Sequence, residues 1–508
     1  MFKRCSGVLL PVFSLPSRHG IGDIGPAAHD WIQQLATAGQ TWWQILPLNP
    51  GNKENSYSPY FSSSAFAANP LLISLEQICA LDLLDEKDLA EAPFFEADKI
   101  QYEAVRNWKM PLLKKAWQSF IESADSTLQA DFQHYCQQES DWLLDYALFE
   151  ICQQKFAGAS WSDWPTQLRD RHPDAIQELQ HTQSDAVAFI QFCQFIFHQQ
   201  WGELLDKAHS VGLQLVGDMP IYVSYESADV WSKTHLFQLD PNGKPTAVSG
   251  VPPDYFSSTG QLWNNPVYDW QTHATDQFSW WCRRMQALLQ LYDIVRIDHF
   301  RGLVQYWAVP ANSSTAINGS WQDVPTDDLL DALEKSVDTF AVIAEDLGTI
   351  TEDVKAVMSQ RQYPGMKILQ FAFGTNNPQH PYLPHNYERN CLVYTGTHDN
   401  NTSLGWLQHE CTPAERTNLC QYLGLPDATT DHVIVKSMIR LAMASIADVT
   451  VIPVQDLLGL DQCARINNPA QVENNWHWRC RLDMLEQIDW AWLADLTGRY
   501  ARQLEHEG

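Results

Sequence analysis

Residues 291–301, LYDIVRIDHFR, run from apolar side chains into a cluster of charge. Arg296 and Asp298 are two apart, so on a strand they face the same side. The cation favours the ionised carboxylate of Asp298 and lowers its pKa. That suits a nucleophile or a charge stabiliser better than a proton donor. A strand-end salt bridge would use the same residue types, and this segment alone does not choose between the two.

Further strand-like runs carry acids in similar places. FAVIAEDLGTI, residues 340–350, leads into Glu345 and Asp346, and CLVYTGTHDNN, residues 391–401, ends in His398, Asp399 and Asn400. LQLVGDMPIYV, residues 213–223, holds Asp218 in mid-run. Acids at the C-terminal ends of several parallel strands are how a (β/α)8 barrel assembles a catalytic face. Glu345 and Asp346 are adjacent and would face opposite ways on a regular strand. The pattern leaves open which of them is the acid.

Other strand-like runs lie at 41–48, 365–373 and 443–460, with helical stretches between. One of these, WGELLDKAHSVG at 201–212, places Leu204, Leu205 and Ala208 on one stripe and ends in Gly212. This alternation predicts an α/β chain: a parallel (β/α)8 TIM barrel with helices outside it. Its 508 residues exceed an ordinary barrel of roughly 250, so inserted, mainly helical subdomains are expected. Residues 77–198 show helical period without convincing strands, as a helical insertion in the barrel or as a separate helical domain. The expected organisation is one catalytic barrel domain over 1–508, the insertion at 77–198, and a cleft loop at 251–270.

Composition narrows the function classes. Hydrophobic content of 45% and charged content of 19% describe a globular chain with a large core. No apolar run reaches the ~18–20 residues of a membrane helix. The start, MFKRCSGVLLPVFSLP, resembles a signal peptide, but the patch is brief, contains Pro11 and lacks a small-residue cleavage site. The eleven cysteines include no CxxC pair, so buried thiols in a reducing cytoplasm are expected rather than disulfides or zinc. A formal net charge of −28 argues against nucleic acid and anionic membranes as partners. No phosphate-cradling glycine motif is present.

The aromatics point to a ligand class. VPPDYFSSTGQLWNNPVYDW, residues 251–270, gathers Tyr255, Phe256, Trp263, Tyr268 and Trp270 in one irregular segment. ENSYSPYFSSSAF, residues 54–66, does the same with Tyr57, Tyr60 and Phe61. Aromatic rings stack on the C–H faces of sugars while Asp, Asn and Gln bind the hydroxyls. The plainer alternative is that these rings pack the loops onto the barrel.

From end to end, the chain resembles the amylomaltases, the 4-α-glucanotransferase or disproportionating-enzyme family of glycoside hydrolases. The matching motifs are SGVLLPVFSLPSRHGIGDIG, SPYFSSSAFAANPLLI, GDMPIYV, GVPPDYFSSTGQLW, VRIDHFRG, YWAVP, AEDLG, PGMKILQFAFG, YTGTHDNNT and PVQDLLGL. The resemblance implies a barrel related to the α-amylases that cuts an α-1,4-glucan and passes the piece to another maltooligosaccharide, without metal or cofactor. It implies Asp298 as nucleophile, Glu345 as general acid/base and Asp399 as the third, stabilising carboxylate. Arg296, His398, Asp218 and Tyr60 would support the donor sugar. Asp254, Phe256, Gln261 and Trp263 would form a loop over the cleft, with Asn467 and Pro469 on a late loop beside it.

Three departures from the family pattern stand out. WNNP replaces WGNP at 263–266, Asn401 replaces an Asp after THDN, and RINNPAQVENNW at 465–476 has Ala470 and Asn474 in place of two glycines. The rival expectations are an α-glucan hydrolase of the same superfamily and a catalytically silent glucan-binding protein. The sequence does not give the oligomeric state.

Overall fold

The computed structural model describes residues 2–253, 257–471 and 473–503. Among them are twelve strands: β1 (Cys5–Leu9), β2 (Trp42–Gln44), β3 (Gln214–Met219), β4 (Ala247–Val251), β5 (Gln261–Pro266), β6 (Ile294–Ile297), β7 (Gln305–Pro310), β8 (Ser320–Asp323), β9 (Val342–Ala344), β10 (Gly365–Ile368), β11 (Cys391–Tyr394) and β12 (Val449–Pro453). Eight of them pair in parallel in the order β10–β11–β12–β1–β2–β3–β6–β9. The N–H of Ala344, at the end of β9, donates to the carbonyl of Pro364, just before β10, at 3.0 Å. That contact brings the two edges together as a barrel. Residues of β6, β9, β11 and β12 are buried throughout, which explains why these strands read as continuous apolar runs.

Seven of the eight barrel strands lie inside the runs expected from sequence. The eighth, β1, is the brief apolar patch that resembles a leader; it pairs with β2 on one side and β12 on the other. Gly217 in β3 is required by a close approach: a Cβ there would lie 2.1 Å from the ring of Tyr292.

A second, antiparallel sheet, β5–β4–β7–β8, stands apart from the barrel. It contains residues expected as irregular loop within 251–270, because β5 pairs with β4 across a bulge. Helices fill the chain between β2 and β3, from Leu75–Ala80 to the long Ser184–Ser210. That last helix passes through residue 198 and absorbs the helix expected at 201–212. Buried side chains of this region, such as Trp117, Phe120 and Phe192, belong to the same apolar core as the barrel strands. All eleven cysteines are free thiols. Among the described residues, no helix is long and apolar enough to cross a membrane.

Candidate active site

The register of the barrel decides which charges meet. Asp218 in β3 stands opposite Arg296 in β6, and Ile297 stands opposite Ala344 in β9. The residues that follow, Asp298 and Glu345, therefore leave neighbouring strands at the same level. The N–H of Asp298 still donates to Met219, and that of Glu345 to Ile297, each at 3.1 Å. Both side chains are thus carried on backbone that is held by the sheet.

Arg296 Nη1 lies 2.8 and 2.7 Å from the two oxygens of Asp218 and 3.1 Å from Asp298 Oδ1. The expected convergence of Arg296 and Asp298 is present, but the shorter contacts go to Asp218. Burial pushes Asp218 above the usual carboxylate range, while Arg296 opposes this. Arg296 itself is raised by Asp218 and Asp298 against the desolvation that burial imposes, so the guanidinium keeps its charge.

Glu345 is held by the backbone. His299, just after Asp298, takes the left-handed conformation with φ 47°. Its N–H donates to Glu345 Oε2 at 2.7 Å, and the N–H of Leu347 donates to Oε1 at 2.8 Å. Desolvation pushes the Glu345 pKa up to about 8; Asp298 adds to the rise, and Arg296 with the two N–H groups opposes it. Adjacent Asp346 turns away, accepting from the N–H of Met366 at 2.6 Å. That resolves which of the two acids faces the mouth of the barrel.

The third strand end is built differently. His398 and Asp399 sit on a loop beyond β11, not on the strand. Asp456, just after β12, accepts from Ser403 N–H at 2.7 Å and from the hydroxyls of Ser403 and Thr395 at 2.6 and 2.5 Å, pinning both ends of that loop. His398 Nε2 lies 2.9 Å from Tyr60 Oη and 3.3 Å from Asp399 Oδ2. Tyr60 donates its only hydroxyl proton to Asp218 at 2.9 Å. Nε2 must therefore carry a proton and donate to Tyr60. Burial lowers the His398 pKa, so the ring is neutral with its proton on Nε2.

Arg465, which sequence reasoning did not single out, ties the late loop to this cluster. It donates to the carbonyls of Asp399 at 2.8 Å and Asn467 at 2.7 Å and pairs with Glu410 at 3.1 Å. Asn467 Nδ2 then donates to Asp399 Oδ1 at 2.6 Å. Trp476 closes the other side, its ring 5.6 Å from that of Tyr60 and 6.1 Å from that of His398. Pro469 is exposed, two residues beyond Asn467.

Among the loop aromatics, Trp263 is half-buried and edge-on to His299, with ring centroids 4.9 Å apart. Its indole N–H donates to Gln261 Oε1 at 3.1 Å. Tyr268 and Trp270, by contrast, are core: Tyr268 donates to the Ile221 carbonyl and Trp270 stacks on Trp281. Asp254 and Phe256 lie outside the described residues. Among the described residues, His19, Asp23 and Glu76 form the one group with metal-ligand spacing. There the buried Lys109 amine lies 3.8 Å from Asp23; burial lowers its pKa and Asp23 opposes this.

The arrangement offers a carboxyl group beside a fixed cation, a second that desolvation pushes toward holding its proton near neutrality, and a third. That is the equipment for displacement at an acetal carbon. A family model described as 4-alpha-glucanotransferase matches residues 10–484. The chain is 43% identical over 509 residues to the 4-alpha-glucanotransferase of Synechocystis sp., covering 99% of each chain. It is 41% identical to that of Thermus thermophilus, covering 94% of each. The solved amylomaltase of Streptococcus agalactiae in complex with acarbose superposes with a TM-score of 0.94 at 33% identity, covering 99% of this chain and 100% of that one. The chain belongs to the 4-alpha-glucanotransferase family.

Proposed function

We propose that this 4-α-glucanotransferase works by retaining double displacement, with Asp298 as nucleophile and Glu345 as acid and then base. The contrast between these two carboxyl groups carries the reading. Asp298 shares the Arg296 cation, whereas Glu345 sits where desolvation keeps it protonated near neutral pH. Asp298 attacks the anomeric carbon of an α-1,4-glucan as Glu345 protonates the departing 4-oxygen. Glu345 then removes the proton from the 4-hydroxyl of glucose or another maltooligosaccharide, which displaces Asp298 and restores the α-linkage. Asp399, oriented by Asn467, stabilises the positive charge that develops on the sugar ring. Tyr60, Asp218, Arg296 and His398 hold the donor sugar, and Trp263 and Gln261 flank the cleft. Eleven unpaired thiols favour the cytoplasm as the place of work.

Maltotriose as sole substrate tests the reaction. We expect glucose together with a ladder of longer maltooligosaccharides and almost no gain in reducing ends. A steady rise in reducing ends with no longer products would mean water, not sugar, takes the glucanosyl group.

A further inference from the structure

Behind the Tyr60 loop, a second cavity of about 370 Å³ opens between the helices Leu143–Lys155, Ala228–Ser232 and Ser279–Leu291. Its size falls in the range of small-molecule sites. The buried rings of Phe66, Trp142 and Trp280 form the floor. Phe66 stacks on Trp142 at 5.9 Å and meets Trp280 edge-on at 6.1 Å. Asp229, 4% exposed, lies among them. One of its oxygens accepts from the Trp280 indole at 3.2 Å and the other from the N–H of Ala65 at 2.7 Å. Each oxygen keeps a further lone pair for a ligand hydroxyl.

The rim supplies donors. Lys233 makes no side-chain hydrogen bond or ion pair with another described residue, and Arg283 commits only Nε and Nη2, to Glu139 and Asp141. Four aspartates against these two cations leave the lining negative, which disfavours phosphate and other anions. Aromatic floor, paired carboxylate acceptors and spare donors match a neutral polyhydroxylated ring.

We propose that this cavity is a second saccharide site that takes maltose or one glucosyl unit. The choice of sugar rests on the glucan-transferring assignment of the cleft. The site is also linked to that cleft. Asp229 holds Ala65, and the N–H of Ala228 donates to the carbonyl of Ser63 at 2.8 Å. A bound sugar thereby braces the root of the loop that carries Tyr60.

Calorimetric titration with maltose tests this in an Asp298→Asn background, where the sugar is not consumed. Two classes of site are expected. Adding Ser232→Trp, which fills the cavity, should remove one class and leave the other. Adding Lys233→Ala instead, which removes no side-chain hydrogen bond or ion pair among the described residues, should weaken that same class about tenfold, the worth of one charged hydrogen bond. A single class in all three proteins, or two classes that neither change affects, overturns the proposal. A class that vanishes with Ser232→Trp beside a cleft that binds no maltose upholds the cavity site and removes the cleft assignment instead.

Discussion

Arg296 and Asp218 face each other across adjacent parallel strands, and a single guanidinium nitrogen reaches both aspartate oxygens at 2.7 and 2.8 Å. The same nitrogen lies 3.1 Å from Asp298. One buried cation therefore bridges two carboxyl groups on one side of the barrel mouth. The proposed nucleophile, Asp298, is thus placed beside a fixed positive charge. In the proposed mechanism the proton for the leaving sugar comes from Glu345, which follows the neighbouring strand β9.

Glu345 makes the protein lose stability as pH rises. Its pKa climbs from an ordinary 4.5 to about 8 on folding. Between those values the folded chain binds a proton that the unfolded chain does not, so the stability this group contributes is full below pH 4.5 and lost as pH rises through 8. Glu345→Gln stays neutral throughout. The Tm of the wild type should therefore fall relative to Glu345→Gln across that window, and Asp218, present in both, cancels from the comparison. A Tm difference independent of pH would show that Glu345 is not protonated in the folded state. Transfer by the wild type should decline on the alkaline side over the same range.

The barrel was legible because its strands are buried on both faces and end in charge. Strand β1 was not, since five residues before a proline carry little pattern until β2 and β12 flank them. The antiparallel sheet was missed for a related reason: Asn264 in β5 has φ 64°, and turn-like residues crowd the strand. The three carboxylates were placed by resemblance, and the geometry adds how each is held. The N–H groups of His299 and Leu347 on Glu345 have no side-chain signature, so sequence could not show them. Arg465 could have been noticed as the start of the RINNP stretch. Two departures from the family pattern have a common physical cause. Asn264 and Asn474, both at family glycine positions, have φ 64° and 65°, a region Asn tolerates better than most residues. At the third, Asn401, the side-chain amide donates to Glu410 at 2.8 Å, a bond that an ionised Asp could not make.

Asn467 should matter through Asp399. Asn467→Ala removes a 2.6 Å hydrogen bond to that carboxylate. Transfer should fall by about ten- to a hundredfold, the worth of one hydrogen bond to a charged group. Asn467→Asp keeps the size but sets a second negative charge beside Asp399, so activity should rank Asn, then Ala, then Asp. Steady-state kinetics with maltotriose check the order. An Asp variant as active as the wild type would mean that this contact does not govern Asp399.

Trp263 should behave as a sugar platform and not as packing. It is half-buried on the antiparallel sheet and packs only against the edge of the main core, beside Tyr222 and His299. Trp263→Ala should lower kcat/KM for maltooligosaccharides by a factor corresponding to about 1–3 kcal/mol, by analogy with aromatic stacking on bases. The Tm should hardly move. A large drop in Tm with normal kinetics in the folded fraction would assign the ring to packing.

The roles of Asp298 and Glu345 separate when the leaving group no longer needs an acid. A maltooligosaccharide leaves poorly unless Glu345 protonates it, whereas the fluoride of an α-glucosyl fluoride leaves unaided. Glu345→Gln should therefore turn over maltooligosaccharides orders of magnitude more slowly, yet still be glucosylated by the fluoride. No base then activates the acceptor, so the ester on Asp298 should accumulate and appear in a peptic digest by mass spectrometry. Asp298→Asn, lacking the attacking oxygen but keeping the Glu345 acid, should form no ester with either donor. Rates alone cannot distinguish the two residues, because losing either member of a catalytic pair cripples turnover. The mapped ester can: an adduct on Glu345, Asp346 or Asp399 in place of Asp298 would overturn the assignment of the nucleophile.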